Sequence, residues 1–126
     1  MFQVTFQPIV IMALNRASIA LDVALLHEAG FSDYIQAKGS YKGVQEASYI
    51  IPIRGARDLD RLLALAANTG QESILVSRND RTSYLIYVNG GEETELGVLK
   101  PWFRSELPDA YTAIGNNVWA IEGGVS

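Results

Sequence analysis

The sequence predicts an α+β fold: an antiparallel β-sheet with two helices packed on one face and its second face buried by oligomerisation. Three observations carry this. Six stretches read as strands and two as helices, in the order strand, helix, strand, helix, then four strands. At 126 residues, with 48% hydrophobic and 19% charged, the chain has the size and balance of one globular domain spanning 1–126. Finally, Ile9-Val10-Ile11, Tyr49-Ile50-Ile51 and Tyr84 to Val88 are apolar on both sides. Two helices of roughly fourteen residues cover only one face of a five- or six-stranded sheet, so a second copy of the chain is expected to cover the other.

The first strand opens with Phe2, Val4 and Phe6 alternating with Gln3, Thr5 and Gln7, and Ile9 to Leu14 continue it. Asn15 is a suitable N-cap for the first helix. Ile19, Val23 and Leu26 follow at helical spacing, and Gly30 supplies a left-handed stop. A loop is expected through Phe31 to Gly43. The second strand is Ala47 to Ile53, rich in β-branched and aromatic residues, and Pro52 marks an edge or a strand end. Leu59, Leu62, Leu63 and Ala66 form the stripe of the second helix, with Asp58 as its cap and Gly70 as its stop. Ser73–Ser77 and Thr82–Val88 form a hairpin about the polar turn Arg78-Asn79-Asp80-Arg81; Glu95–Leu99 and Asn117–Ile121 complete the set.

Composition removes several functions. The formal charge is −4 and the ten Lys and Arg are scattered, which leaves no footprint for a phosphate backbone, so no nucleic-acid partner is expected. The chain has no cysteine and one histidine, His27, which removes thiolate chemistry and any multi-histidine metal cluster. Neither a metal nor a cofactor is expected. The N-terminus lacks a basic signal-peptide region and no apolar run approaches the roughly eighteen residues of a membrane span, so no membrane partner is expected and the cytoplasm is the expected location.

Two places invite a site. Glu72 stands between the helix-ending Gly70 and the apolar strand, either as a solvated strand-end acid or as a carboxylate meeting a ligand at a subunit boundary. The segment Gly39 to Tyr49 gathers two glycines, two tyrosines and Glu46, either as a turn with packing aromatics or as a loop approaching a ligand. It is not a phosphate loop, since Gly39-x-x-x-Gly43 lacks the Gly-Lys-Ser/Thr ending. His27 suits the dipole at its helix end, Asp22 and Glu28 read as a solvated helix face, and Trp102, Phe103, Tyr111 and Trp119 read as packing or interface residues.

Gly39-Ser40-Tyr41-Lys42 and Gln71-Glu72-Ser73-Ile74-Leu75-Val76, the latter followed by Leu85 to Gly90, resemble the phage-encoded S-adenosylmethionine lyases, once called S-adenosylmethionine hydrolases. The resemblance covers about residues 39 to 90. It implies an antiparallel sheet with two helices on one side, a trimer with substrate at subunit boundaries, and a reaction in which the substrate's carboxylate displaces methylthioadenosine to leave homoserine lactone. Glu72 and Tyr41 fall on the family's acid and Gly-x-Tyr positions, and Glu46 is implied as a second carboxylate. An anti-restriction role would follow from consumption of a methyl donor. A non-catalytic small-molecule-binding or regulatory oligomer on the same scaffold is the alternative.

Overall fold

A computed structural model describes residues 7–14, 18–103 and 106–122. The predicted alternation over Phe2 to Phe6 and the Asn15 cap lie outside the described residues. Among the described residues eight strands and two helices run in the order β1 (Ile9–Met12), α1 (Ile19–Glu28), β2 (Ile35–Tyr41), β3 (Val44–Pro52), α2 (Ala56–Asn68), β4 (Ser73–Ser77), β5 (Thr82–Tyr87), β6 (Glu93–Trp102), β7 (Ala110–Ile114) and β8 (Asn117–Glu122). All pairings are antiparallel, and the order β1-β3-β2-β7-β8-β6-β5-β4 returns to β1.

The predicted open α+β sheet, with helices on one face and a partner on the other, is therefore corrected to a closed eight-stranded antiparallel barrel. The two-faced apolar strands are explained by closure, because the second face is buried against itself. Val10, Met12, Tyr49, Ile51, Ile74 and Val76 form the outer cluster, capped by Leu26 of α1 and Leu62, Leu65 and Ala66 of α2. Ile9, Ile11, Ala37, Ile50 and Leu99 form the inner one, with Leu75, Trp119 and Ile121 packed against it. Strands β1 and β3 alternate between these clusters residue by residue, as a pleated strand must. Eight strands enclose an interior about wide enough for side chains to fill.

Closure depended on two strands that the sequence had hidden. β2 occupies part of the expected loop, and β7 was not anticipated; together they carry the sheet from β3 round to β8. A bulge also helps. Between Ser83 and Tyr84 the β5–β6 register shifts, with Ser83 opposite Gly97 and Tyr84 opposite Glu95, so one extra residue sharpens the local twist.

The helices end as their glycines require. Gly30 and Gly70 have φ of 94° and 76°. In each, the residue after the glycine donates back to the helix, Phe31 to the Leu26 carbonyl and Gln71 to the Ala66 carbonyl, both at 2.9 Å. Ser18 is the N-cap of α1, its hydroxyl accepting from the Leu21 amide at 3.2 Å. Gly55 occupies the N-cap of α2 without a side-chain bond, and the expected cap Asp58 instead accepts from the Arg54 amide at 3.0 Å.

Asp22 departs from the solvated face read in the sequence. It is buried in the first turn of α1, and the Tyr49 hydroxyl of β3 donates to its Oδ2 at 2.7 Å. This bond ties α1 to the barrel wall. Burial, followed by the neighbouring Asp22 carboxylate, holds the Tyr49 phenol well above its ordinary value. At one end of the barrel Arg81, itself buried, donates from Nη2 to the Gln7 carbonyl at 2.6 Å and from Nη1 to Ser77, closing that end with a polar plug.

Candidate active site

The opposite end of the barrel is open. It leads into a cavity of about 1000 Å³, at the upper end of the range for small-molecule sites. Its floor is apolar, built from inward residues such as Ile11, Leu75 and Leu99, while Tyr41, Glu46 and Glu72 all line its mouth. Two parts of the sequence, the β2–β3 hairpin with Tyr41 and Glu46 and the start of β4 with Glu72, are thus brought to one rim.

Each arrives by a local cause. Glu72 is delivered by the end of α2: Gly70 turns the chain, the Gln71 amide closes the helix, and Glu72 comes out at the entrance to β4. The Val88 amide then pins its backbone, donating to the Glu72 carbonyl at 2.9 Å. Glu72 precedes an inward residue, Ser73, and its own side chain is exposed on the rim. A glycine before a carboxylate is here a device for placing the acid at the mouth.

Tyr41 and Glu46 stand on the hairpin of β2 and β3. The strands are joined by Lys42-Gly43 with φ of 49° and 84°, the two left-handed residues that a tight hairpin of matching twist demands. Glu46 shares its parity with Ser48 and Ile50, and Ile50 belongs to the inner cluster, so Glu46 stands on the lumen side. Gly39 lies directly opposite and contributes no side chain to the lumen there. A Cβ on Gly39 would meet Ser48 Cβ at 3.5 Å, ordinary contact, so its smallness serves the open mouth more than the packing of the wall.

Trp119 and Tyr111, read from sequence as packing or interface residues, also line the cavity. Trp119 belongs with the inner cluster. Its signal was the alternation Trp119, Ile121, which is inward parity once β8 is placed beside β6. Lys42 was quoted only as part of a motif, yet it is the one cation among the described lining residues, against the two acids Glu46 and Glu72. His27 lies elsewhere, exposed on α1 with its ring 6.2 Å from that of Tyr34.

A small closed barrel with acids, one ammonium and aromatic rings around an apolar cavity has the chemistry to suit a compact ligand bearing positive charge and a flat ring. Across residues 15–122 the chain matches the model of the S-adenosylmethionine lyase family, and it belongs to that family. No curated protein matches it. Membership makes it a lyase that degrades S-adenosylmethionine, a substrate with a sulfonium, an α-ammonium and an adenine ring. No helix among the described residues is long and apolar enough to cross a membrane.

Proposed function

We propose that the barrel mouth binds S-adenosylmethionine folded on itself, so that its carboxylate displaces its own sulfonium. A carboxylate oxygen attacks the γ-carbon while the carbon–sulfur bond breaks. The bonding pair passes to sulfur, giving neutral methylthioadenosine, and the four-carbon chain closes as homoserine lactone. No water or proton is consumed. The sulfonium is already a good leaving group, so the enzyme contributes chiefly position, an effect that reaches about 7–11 kcal/mol in well-oriented intramolecular reactions.

The observation that carries this reading is the convergence of Glu72, Glu46 and Tyr41 on one cavity. In it Glu72 takes the α-ammonium through charge-assisted hydrogen bonds, Glu46 offsets the second positive charge, and the Tyr41 ring packs against the sulfonium by cation–π attraction. The inner apolar wall and Trp119 suit adenine. The test is to incubate the protein with the substrate in ¹⁸O-water and follow products by mass. Unlabelled homoserine lactone with methylthioadenosine supports displacement; homoserine appearing without a lactone, labelled in its hydroxyl, identifies direct hydrolysis.

The rim also supports an assembly. Val44 and Tyr41 are 70% and 60% exposed beside the mouth, an apolar edge that a second copy would cover. We propose a trimer with the mouth at a subunit boundary, checked by light scattering at micromolar concentration, where a stable monomer would exclude it. Removal of the common methyl donor gives the reaction an anti-restriction use against methyltransferase-linked defences, including in an infected cell.

A further inference from the structure

Among the described residues only two non-glycines hold positive φ, and both are cations at barrel ends: Arg81 at 67° in the plug and Lys42 at 49° at the mouth. Arg81 has an evident structural reason in its three hydrogen bonds to Gln7 and Ser77. Lys42 has none of that kind. Its position in the turn favours Asn, Asp or Gly, and a lysine held left-handed by its surroundings points to a use for the side chain. The backbone is fixed by the Lys42 amide, which donates to the Asp109 carbonyl at 2.7 Å. The ammonium lies 5.3 Å from the centre of the Tyr41 ring, beside the cavity it lines.

The charges of the mouth then have a counterpart in the ligand. Two carboxylates and one ammonium line the cavity; S-adenosylmethionine carries two cations and one carboxylate. Resting on the lyase reading above, we infer that Lys42 holds the substrate carboxylate through one oxygen, leaving the other to attack the γ-carbon. Lys42 is thus a binding residue for the substrate carboxylate, acting in the ground state.

The chemistry fixes how this shows in kinetics. As the new carbon–oxygen bond forms, the carboxylate loses its charge to the departing sulfur, so its attraction to the ammonium is stronger in the bound substrate than in the transition state. Such a contact assists binding without assisting the chemical step. It also weakens once the carboxylate has become an uncharged ester in the lactone, which favours release.

The variant is Lys42→Asn, which removes the charge and suits left-handed backbone better than lysine does. The expected result is a KM raised roughly tenfold with kcat unchanged or higher, and most of the loss restored in Lys42→Arg. Decarboxylated S-adenosylmethionine, which keeps both cations and lacks the carboxylate, should inhibit wild type and Lys42→Asn with the same inhibition constant. An unchanged KM in an active Lys42→Asn enzyme, or an inhibition constant that rises along with KM, overturns the inference alone. A wild-type protein that leaves S-adenosylmethionine intact overturns the lyase reading and this inference with it.

Discussion

Tyr49→Phe should destabilise the barrel far more than loss of one oxygen suggests. The Tyr49 hydroxyl donates at 2.7 Å to Asp22 Oδ2, both residues are buried, and Asp22 Oδ1 has no hydrogen-bond partner among the described residues. The phenylalanine keeps the ring but strips the carboxylate of its donor. A hydrogen bond to a charged group contributes about 1.5–3 kcal/mol, and the acceptor left unpaired in the interior adds a desolvation penalty, so a loss of about 3 kcal/mol is expected. For a domain of this size that lowers Tm by roughly 10 °C, measured by circular dichroism during heating. Adding Asp22→Leu removes the orphaned acid as well, and the double variant should recover much of the loss, since replacing both partners by apolar groups is often nearly neutral. A drop in Tm below about 3 °C in Tyr49→Phe, or a double variant less stable than the single, would refute this account of how α1 is held.

The same pair gives an alkaline limit: folding raises the Tyr49 phenol above its ordinary 10.0, so its contribution is whole below about pH 10 and is lost as pH rises toward the higher folded value. Wild-type Tm should fall above pH 10 more steeply than that of Tyr49→Phe. Gly39→Ala should fold about as stably as wild type, because its Cβ meets only ordinary contacts, yet it should raise KM by narrowing the mouth opposite Glu46; normal kinetics would place substrate elsewhere. Activity should survive chelators unchanged, and restoration of a lost activity by a divalent ion would contradict a displacement driven by position.

Much of the site was legible because it rests on local signals. The glycines that end the helices, the Arg78–Arg81 turn and the strands flanking it appear in the structure where the sequence puts them. Barrel closure was not legible, for two physical reasons. β2 reads Ile-Gln-Ala-Lys-Gly-Ser-Tyr, with small inward residues at Ala37 and Gly39 that weaken any strand signal while opening the mouth. Moreover, an apolar second face has the same pattern whether it meets another chain or its own sheet. Asp22 was misread because helix periodicity does not reveal that a tyrosine on β3 waits beneath it. Trp119 was underread because its partner strands were not yet ordered.

The central claim is that the mouth holding Glu72 is where S-adenosylmethionine is broken, and Glu72→Gln tests it most directly. The substitution is nearly isosteric on an exposed rim, so folding should be intact, while loss of the charge should misplace the substrate's ammonium and with it the attacking carboxylate. Product formation by mass spectrometry should fall about tenfold or more, at least ~1.4 kcal/mol on the barrier, at an unchanged Tm. Tyr41→Phe, assayed beside it, should retain most activity if the ring rather than the hydroxyl meets the sulfonium. Wild-type turnover by Glu72→Gln at unchanged Tm would contradict the claim and leave Glu72 a solvated acid at a strand entrance.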